Sequence, residues 1–218
     1  MTGGIVQCEG GVTLLGGGSS CPDDLAQALG FAPRLVAADG GGDRALAYGR
    51  DPEAVIGDLD SLSAQGRAAL GARVHLIPEQ DSTDFGKCLS HVQARFYLAL
   101  GFTGLRLDHT LAALSELAKR PGQAIVLLAE EEVIFRAPAE LRLDLPPGTR
   151  LSLYPMGPAR GRSSGLRWPI DGIDFAPGGR IGTSNEVTGP VWLEITGPML
   201  VLLEKPHLGA VLHALGLR

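Results

Sequence analysis

The sequence has few cysteines, no long apolar run and no excess of positive charge. Cys8, Cys21 and Cys88 are odd in number and widely spaced, which argues against disulfides or a zinc site and favours reduced thiols. No apolar run approaches the roughly 18 residues that a membrane-spanning helix needs. The net charge is -5, whereas nucleic-acid binding usually requires a basic face. We therefore expect neither a membrane nor a nucleic acid as a partner.

The rest of the composition is that of an ordinary globular protein. The 218 residues are 44% apolar and 20% charged, enough to bury a core in one large domain or two small ones. The first residues lack the basic segment and apolar core of a signal peptide. These features together predict a soluble, cytoplasmic protein.

The first 120 residues alternate short apolar runs with helical stretches. This alternation predicts an α/β domain with a mostly parallel, Rossmann-like sheet, in which ligands bind beyond the carboxyl ends of the strands. A further helix is predicted from Leu107, with Leu107, Leu111, Leu114 and Ala118 packing on the sheet. The predicted strands are 12–15, 35–38, 54–56 and 74–77.

After Gly122 the pattern changes to strands separated by Pro-Gly turns. The runs 124–128 and 133–136 resemble paired strands, and the later runs alternate apolar and polar residues. That pattern predicts an all-β, sandwich-like domain. With the boundary somewhere in 122–138, we assign residues 1–130 to the α/β domain and 131–218 to the β domain. The later strands are predicted at 141–145, 150–154, 191–195 and 199–203.

Two acidic clusters carry the clearest chemical signal. Asp58 and Asp60 follow a predicted strand, where residues two apart would project to the same side. Asp81 and Asp84 stand near the start of a predicted helix. Carboxylates in this number suit a hard cation such as Mg²⁺. The simpler alternatives are a polar turn for the first pair, and a helix cap and first-turn acid for the second.

Glycine-rich and basic segments add candidate phosphate contacts. Gly16-Gly17-Gly18-Ser19-Ser20 and Asp39-Gly40-Gly41-Gly42 could cradle phosphate through backbone N–H groups, although the first matches no complete nucleotide fingerprint and a plain turn stays open. Arg106 could bind phosphate, and Asp108 could hold that arginine or accept a substrate hydrogen bond. A helix cap beside a surface arginine is the alternative, and His109 is interpreted as structural.

The second half offers one candidate surface for a flat heterocycle. Trp168 stands in a loop-like segment, and Ser184 and Asn185 belong to a small polar cluster between predicted strands. A loop tryptophan can stack on a ring, and the two polar residues can bond ring nitrogens. A core tryptophan and an ordinary turn are the alternatives.

Together these segments resemble the thiamine pyrophosphokinase family, in the family's motif order and over nearly the whole chain. Asp81-Ser82-Thr83-Asp84 matches its Asp-x-Thr-Asp motif. Three residues depart from the family pattern: Leu59 replaces a common aromatic, Gln80 a common lysine, and Leu105 the second glycine of Gly-Gly-Arg. The other similar segments are Asp39-Gly40-Gly41, Gly57-Asp58-Leu59-Asp60-Ser61, Gly104-Leu105-Arg106-Leu107-Asp108-His109, Gly165-Leu166-Arg167-Trp168 and Thr183-Ser184-Asn185-Glu186.

The resemblance implies transfer of a pyrophosphoryl group from ATP to the hydroxyl of thiamine, which gives thiamine diphosphate and AMP. It implies a homodimer with sites at the subunit interface. It assigns Mg²⁺ to Asp58, Asp60, Asp81 and Asp84, and catalysis to Asp81, Arg106 and Asp108. It assigns thiamine to Trp168, Ser184 and Asn185. It assigns ATP to Gly17, Gly18, Asp39, Gly40, Gly41, Ser61, Thr83, Arg106 and His109.

Three other functions stay open at this point. A related Mg²⁺-dependent pyrophosphokinase could act on a pterin alcohol, and only the region of Trp168, Ser184 and Asn185 favours thiamine over it. A non-catalytic thiamine or nucleotide sensor would have little need of four carboxylates. A nicotinamide-dependent dehydrogenase, suggested by Gly16-Gly17-Gly18, would leave the aspartates unexplained.

Overall fold

The protein is described by a computed structural model that covers residues 4–218. The chain divides into two compact units, one of Met1–Glu116 with Leu127–Glu130 and the other of Leu117–Val126 with Glu131–Arg218. It therefore passes between the units three times between residues 116 and 131. Within residues 4–218, no helix is both long and apolar enough to cross a membrane.

The first unit is built on parallel strands. Their order is β7-β2-β3-β4-β5, and a short β1–β6 pair is also parallel. Every residue of β2 and β7 is buried, which is typical of a parallel sheet covered on both faces. The strands are β1 (Val6–Gln7), β2 (Gly11–Leu15), β3 (Arg34–Ala38), β4 (Ala54–Gly57), β5 (Val74–Leu76), β6 (Val92–Gln93) and β7 (Phe96–Leu100).

Two helices of this unit begin at a hydroxyl side chain that caps the first turn. Ser63 and Thr83 accept hydrogen bonds from the amides of Gly66 and Gly86, each three residues further on, as N-cap side chains do. The cap before Asp84 is thus Thr83, and the alternative that placed it at Asp81 is wrong. The helices are α1 (Pro22–Phe31), α2 (Gly41–Ala47), α3 (Ala64–Leu70), α4 (Asp84–His91) and α5 (Leu107–Lys119).

Helix α5 exists where predicted, but its buried face differs from the predicted one. Leu107 and Leu111 are 73% and 55% exposed, whereas Ala113 and Leu117 are buried. The covered face is therefore displaced by one residue, or about 100° around the helix. The hydrophobic pattern predicted the wrong face because Ala113 and the charged Glu116 are buried, whereas the leucines at 107 and 111 are exposed.

The second unit consists of antiparallel ladders that share one long strand. The first part of β13 pairs with β11, which continues through β14 to β9, while its second part pairs with β10 and β12. The strands are β9 (Glu132–Arg136), β10 (Glu140–Leu143), β11 (Arg150–Pro155), β12 (Arg160–Leu166), β13 (Thr183–Thr196) and β14 (Met199–Glu204). The remaining strand is β8 (Ile125–Leu128) and the remaining α-helix is α6 (Leu208–Ala214), and short 3₁₀ helices lie at Gly71–Arg73 and Lys205–His207.

Over the whole chain the pairing is mixed, with more residues in antiparallel than in parallel register. The mostly parallel, Rossmann-like sheet predicted for residues 1–130 is therefore not confirmed, because the parallel strands belong to a mixed sheet in which antiparallel pairs predominate. The sequence analysis also missed β1, β6, β7, β12 and the first part of β13. Thr183–Glu186 lies inside β13 and not between strands.

Candidate active site

A cavity of about 670 Å³ lies in the first unit, where loops follow β2, β3, β4 and β7. The carboxyl ends of parallel strands are the expected position for a ligand site. One wall is apolar and includes Phe102 and Phe85, whose rings stack with centroids 4.2 Å apart. The other wall carries carboxylates and hydroxyls, so the cavity can hold a ligand with one flat apolar part and one charged part.

Three aspartates meet on the charged wall. Asp39 follows β3, and Asp58 and Asp60 follow β4; one carboxylate oxygen from each lies within 4.8 Å of the other two. Asp39 is buried and accepts hydrogen bonds of 3.1 Å from the amides of Ser61 and Leu62. Asp39 therefore fixes the loop that carries Asp60 and joins the cluster itself.

The predicted reason for the closeness of Asp58 and Asp60 is wrong. Strand β4 ends at Gly57, so the two aspartates lie in a loop and not on one face of a strand. Leu59 between them has φ of 66°, a left-handed conformation, and the Asp60 amide donates to Asp58 Oδ1 at 3.3 Å. A local turn brings the carboxylates together.

The second predicted acidic cluster is divided by the structure. Asp84 lines the cavity and accepts a 3.3 Å hydrogen bond from the amide of Asp58. Asp81 is exposed, does not line the cavity, and its amide donates to Glu79. The structure thus joins Asp84 to the first cluster and leaves the Asp81 side chain outside it.

Lys87 belongs to the candidate site but was missed by the sequence analysis. Its side chain is 1% exposed, and its Nζ lies 3.3 Å from Asp58 Oδ2 and 3.2 Å from Asp84 Oδ1. Burial acts to lower the pKa of Lys87, but Asp84 and Asp58 outweigh it and the pKa is raised. The spacing of Asp84 and Lys87, three apart on one helix, was the available signal. The site therefore contains a fixed positive charge among its carboxylates.

Gln80 also contacts this group. Its Nε2 donates to Asp58 Oδ2 at 3.1 Å. Partial burial acts to raise the pKa of Asp58, but the hydrogen bonds from Gln80, the Asp60 amide and Lys87 outweigh it, so the pKa is lowered. Gln80 thus supports the ionised form of Asp58 without adding a charge.

The pKa of Asp39 is shifted upward, in the opposite direction to that of Asp58. Burial raises its pKa to about 6, and the carboxylates of Asp84 and Asp60 act in the same direction against the Ser61 amide. In the metal-free protein the ionised form of Asp39 is therefore disfavoured by folding. Its unfavourable contribution to stability develops as the pH rises from about 4 to about 6.

This shift predicts a pH-dependent affinity for Mg²⁺ in the absence of ATP. A group with a pKa of about 6 is about nine-tenths ionised at pH 7 and about one-tenth ionised at pH 5. Because carboxylate ligands bind in the ionised form, we expect the affinity to fall about tenfold between these pH values. Thermal-shift titrations with Mg²⁺ at both pH values measure it. An unchanged affinity would exclude Asp39 as a ligand.

The glycine segments have mainly a packing role. The amides of Gly16 and Gly18 donate to the carbonyls of Leu100 and Gly101 at 2.8 and 2.6 Å, so they are engaged within the protein. A Cβ on Gly41 would lie 2.0 Å from the Leu15 carbonyl oxygen. Gly17, Gly18 and Gly40 line the cavity, whereas Gly41 does not. The glycines allow loops to approach closely. The Gly18 N–H already donates to the Gly101 carbonyl, so the prediction that Gly18 contacts ATP rests on its place in the cavity lining.

Ser61, Thr83, Arg106 and His109 also line the cavity. Arg106 forms a bidentate pair with Asp108, with Nη2–Oδ2 at 2.6 Å and Nε–Oδ1 at 3.2 Å. The hydrogen bond from Arg106 lowers the pKa of Asp108 to about 2. A carboxylate with so low a pKa is a weak proton acceptor at neutral pH, so the geometry favours the role of orienting Arg106.

Strained backbone is concentrated at this cavity. Among residues 4–218, the non-glycine residues with positive φ are Asp39, Leu59 and Leu105, at 45°, 66° and 54°. Asp39 and Leu105 line the cavity, and Leu59 separates two of its carboxylates. Such conformations cost free energy and cluster at functional sites. Leu105 is also 82% exposed, so burial of its side chain does not offset that cost.

We expect Leu105→Gly to stabilise the protein by about 0.5–1 kcal/mol, because glycine adopts positive φ without the steric cost of a side chain. Leu111→Gly is the matched control, since Leu111 is exposed but lies within helix α5. That variant should lose about 1 kcal/mol. Denaturant unfolding of both variants measures the difference. A loss of stability in Leu105→Gly would contradict the claim that the positive φ of Leu105 strains the folded backbone.

The residues predicted to bind a flat heterocycle, Trp168, Ser184 and Asn185, lie in the second unit. Trp168 is 52% exposed, so the alternative of a core tryptophan is wrong. Ser184 is exposed at the start of β13. Asn185 is buried, and its amide bonds both the N–H and the carbonyl of Trp168. Trp168 and Asn185 are thus brought together by the fold of this unit.

Carboxylates around a buried lysine, at the strand ends of an α/β unit, form a site suited to a hard cation and phosphate. The chain matches the thiamin pyrophosphokinase catalytic domain over residues 25–127 and the thiamin pyrophosphokinase vitamin B1 binding domain over residues 139–200. Thiamine pyrophosphokinase 3 of Oryza sativa subsp. japonica is 30% identical over 199 residues, which cover 72% of this chain and 74% of the relative. The chain belongs to the thiamine pyrophosphokinase family.

Other relatives match over a smaller share. Thiamine pyrophosphokinase 1 of the same rice is 32% identical over 156 residues, and the match spans 62% of this chain and only 59% of the relative's length. Two solved structures share the fold. The thiamin pyrophosphokinase of Candida albicans has a TM-score of 0.78 at 16% identity, and the match covers 91% of this chain and 92% of that protein. The thiamin pyrophosphokinase of Geobacillus thermodenitrificans has a TM-score of 0.74 at 23% identity, and the match covers 89% of this chain and 96% of that protein.

Proposed function

We propose that the protein is a cytoplasmic thiamine pyrophosphokinase, which transfers the pyrophosphoryl group of ATP to the hydroxyl of thiamine and releases AMP. One observation carries the proposal: this chain of the family brings Asp39, Asp58 and Asp60 together beside a buried Lys87 in a single cavity. Its parallel, Rossmann-like unit would bind ATP, and its sandwich-like β unit would bind thiamine.

Mg²⁺ fits this donor set. Three carboxylate oxygens that converge without a thiol or imidazole are the hard ligands that Mg²⁺ prefers. Asp39, Asp58 and Asp60 would hold the ion, with Asp84 near them; the exposed Asp81 would act only through water. When bound, Mg²⁺ neutralises polyphosphate charge and orients the chain of phosphates.

The protein's own groups account for positioning. Lys87 and Arg106 supply the positive charges that line the cavity, and Ser61, Thr83 and His109 supply hydrogen-bonding groups. The apolar wall at Phe102 would accept the adenine ring. In pyrophosphoryl transfer, electrostatic stabilisation and alignment provide most of the catalysis. Asp108 would contribute by holding Arg106, and Asp81, whose side chain lies outside the cavity, would accept a proton from the hydroxyl only through a bridging water.

On the thiamine side, Trp168 would stack on a ring and Ser184 would offer a hydroxyl.

We propose that the protein is a homodimer with its sites at the subunit interface, as the family resemblance implies. Sedimentation equilibrium tests the dimer. Mixing a Trp168 variant that has a raised KM for thiamine with an inactive Asp58 variant, and assaying at a low thiamine concentration, tests the interface. Recovered activity would support shared sites.

The function is tested by incubating the protein with ATP, Mg²⁺ and thiamine and identifying both products. We expect AMP and thiamine diphosphate in equal amounts. A parallel incubation with a hydroxymethyl pterin tests the related pyrophosphokinase reaction. Release of ADP would identify an ordinary kinase, and tight binding of thiamine without turnover would identify a sensor.

A further inference from the structure

The amide of Asn185 is committed to the backbone of Trp168. Oδ1 accepts from the Trp168 N–H at 3.1 Å and from the Glu186 N–H at 3.0 Å, and Nδ2 donates to the Trp168 carbonyl at 2.6 Å. Both lone pairs of the oxygen and one of the two amide protons are therefore used. Asn185 is the single asparagine of the sequence.

Asn185 is also inaccessible. The residue is 2% exposed, whereas its neighbour Ser184 is exposed and Trp168 is 52% exposed. A ligand that bonded the Asn185 oxygen or the engaged amide proton would have to break hydrogen bonds inside the protein and leave buried backbone groups unpaired, which is costly. The remaining amide proton belongs to a residue that is buried away from solvent. The prediction from sequence that Asn185 bonds a ring nitrogen of thiamine does not fit this arrangement.

A second set of contacts fixes the indole of Trp168 from one side. The Arg167 guanidinium carbon lies 5.0 Å from the ring centroid, within the range of a cation–π contact. Arg167 Nη1 is 3.2 Å from Glu186 Oε2, and the Arg167 amide donates to the Glu186 carbonyl at 2.9 Å. The indole is thus held by its backbone through Asn185 and over one face by Arg167, while half of its surface stays open.

We propose that Asn185 is a positioning residue, which does not touch the substrate but holds Trp168 in the conformation that stacks on thiamine. This inference rests on the proposed function. A preorganised aromatic side chain binds more tightly because less conformational freedom is lost on binding. Removing the Asn185 amide should therefore weaken thiamine binding and leave the ATP site, which lies in the other unit, unaffected.

The test is a double-mutant cycle on the KM for thiamine. We expect Trp168→Ala and Asn185→Ala each to raise this KM by about tenfold or more, with the KM for ATP unchanged. Because Asn185 acts through Trp168, the double variant should be no worse than Trp168→Ala alone. Thr188→Ala, an exposed position on the same strand, should leave both constants unchanged. If the two substitutions raised the KM for thiamine independently, so that their effects multiplied in the double variant, Asn185 would contact thiamine directly and the proposal would be overturned.

A second readout does not depend on turnover. In a Trp192→Phe background Trp168 is the single tryptophan, since the sequence has two. Asn185→Ala should then increase acrylamide quenching of the ligand-free protein, and an unchanged quenching constant would overturn the proposal. This arm remains valid even if the wild-type protein makes no thiamine diphosphate, so failure of the proposed function is recognised separately.

Asn185→Asp covers the case in which the alanine variant does not fold. An aspartate is nearly isosteric and can still accept from the amides of Trp168 and Glu186, but it cannot donate to the Trp168 carbonyl when ionised. We expect its quenching and its KM for thiamine to change in the same direction as those of the alanine variant, by a smaller factor. Wild-type values in a folded Asn185→Asp protein would contradict the positioning role.

Discussion

Asp58→Asn should reduce kcat by about a thousandfold or more while the protein stays folded. Asp58 occupies the centre of the site: its carboxylate belongs to the cluster with Asp39 and Asp60 and accepts from Lys87 and Gln80. Asparagine keeps the size but removes the charge that both a cation and Lys87 require. Removal of one preorganised electrostatic group typically costs 10²–10³ in rate, and Asp58 combines two such interactions.

The measurement pairs steady-state kinetics with thermal unfolding. Asp51→Asn is the matched control, because Asp51 is an exposed aspartate whose partner Arg73 is also at the surface. It should retain wild-type rates. The Asp58→Asn protein should also lose most of the Mg²⁺-dependent rise in melting temperature. An active variant with an unchanged Mg²⁺ response would remove Asp58 from the metal site.

Lys87→Met should lower kcat by about a hundredfold or more and also destabilise the protein. Methionine fills a similar volume without the charge, so Asp58 and Asp84 lose the cation between them. Breaking a fully buried pair costs about 3–5 kcal/mol. We expect about 1–3 kcal/mol here, because solvent reaches both carboxylates and screens part of the interaction.

The pH dependence provides an additional check on Lys87. Its pKa is raised in the folded protein, so its stabilising contribution is complete below the unfolded pKa of about 10.4 and is lost as the pH rises through the folded value. Wild-type protein should therefore lose stability relative to Lys87→Met above pH 10. Lys119→Met, at an exposed position outside the cavity lining, should retain wild-type activity. Equal activities of the two variants would exclude Lys87 from the site.

The acidic residues could be predicted from the sequence because each stands beside a strand end or a helix start. Asp58, Asp60 and Asp84 are correctly brought to one region by this rule alone. The division within the second cluster could not be predicted, since it depends on which side of the Thr83 cap a carboxylate faces. Asp84 lies inside the helix and reaches the cavity, whereas Asp81 precedes the cap and stays exposed.

Lys87 and Asn185 show two other limits of prediction from sequence. A lysine is usually exposed, so the burial of Lys87 follows only from the packing of α4 on the sheet. Asn185 has the right chemistry for a ligand, but its hydrogen bonds are taken by a segment 17 residues away in sequence. In the fold, β7 and β12 escaped prediction because a short, wholly buried strand and a glycine- and serine-containing strand lack a clear alternating pattern.

The most direct test of the central claim follows the β-phosphorus of ATP. Protein is incubated with Mg²⁺, thiamine and ATP labelled at the β-phosphate, and the labelled products are separated. The account predicts that the label moves to thiamine diphosphate, that unlabelled AMP forms in equal amount, and that Asp58→Asn abolishes both. Label retained in ADP, or no transfer by the wild-type protein at saturating thiamine, would contradict it.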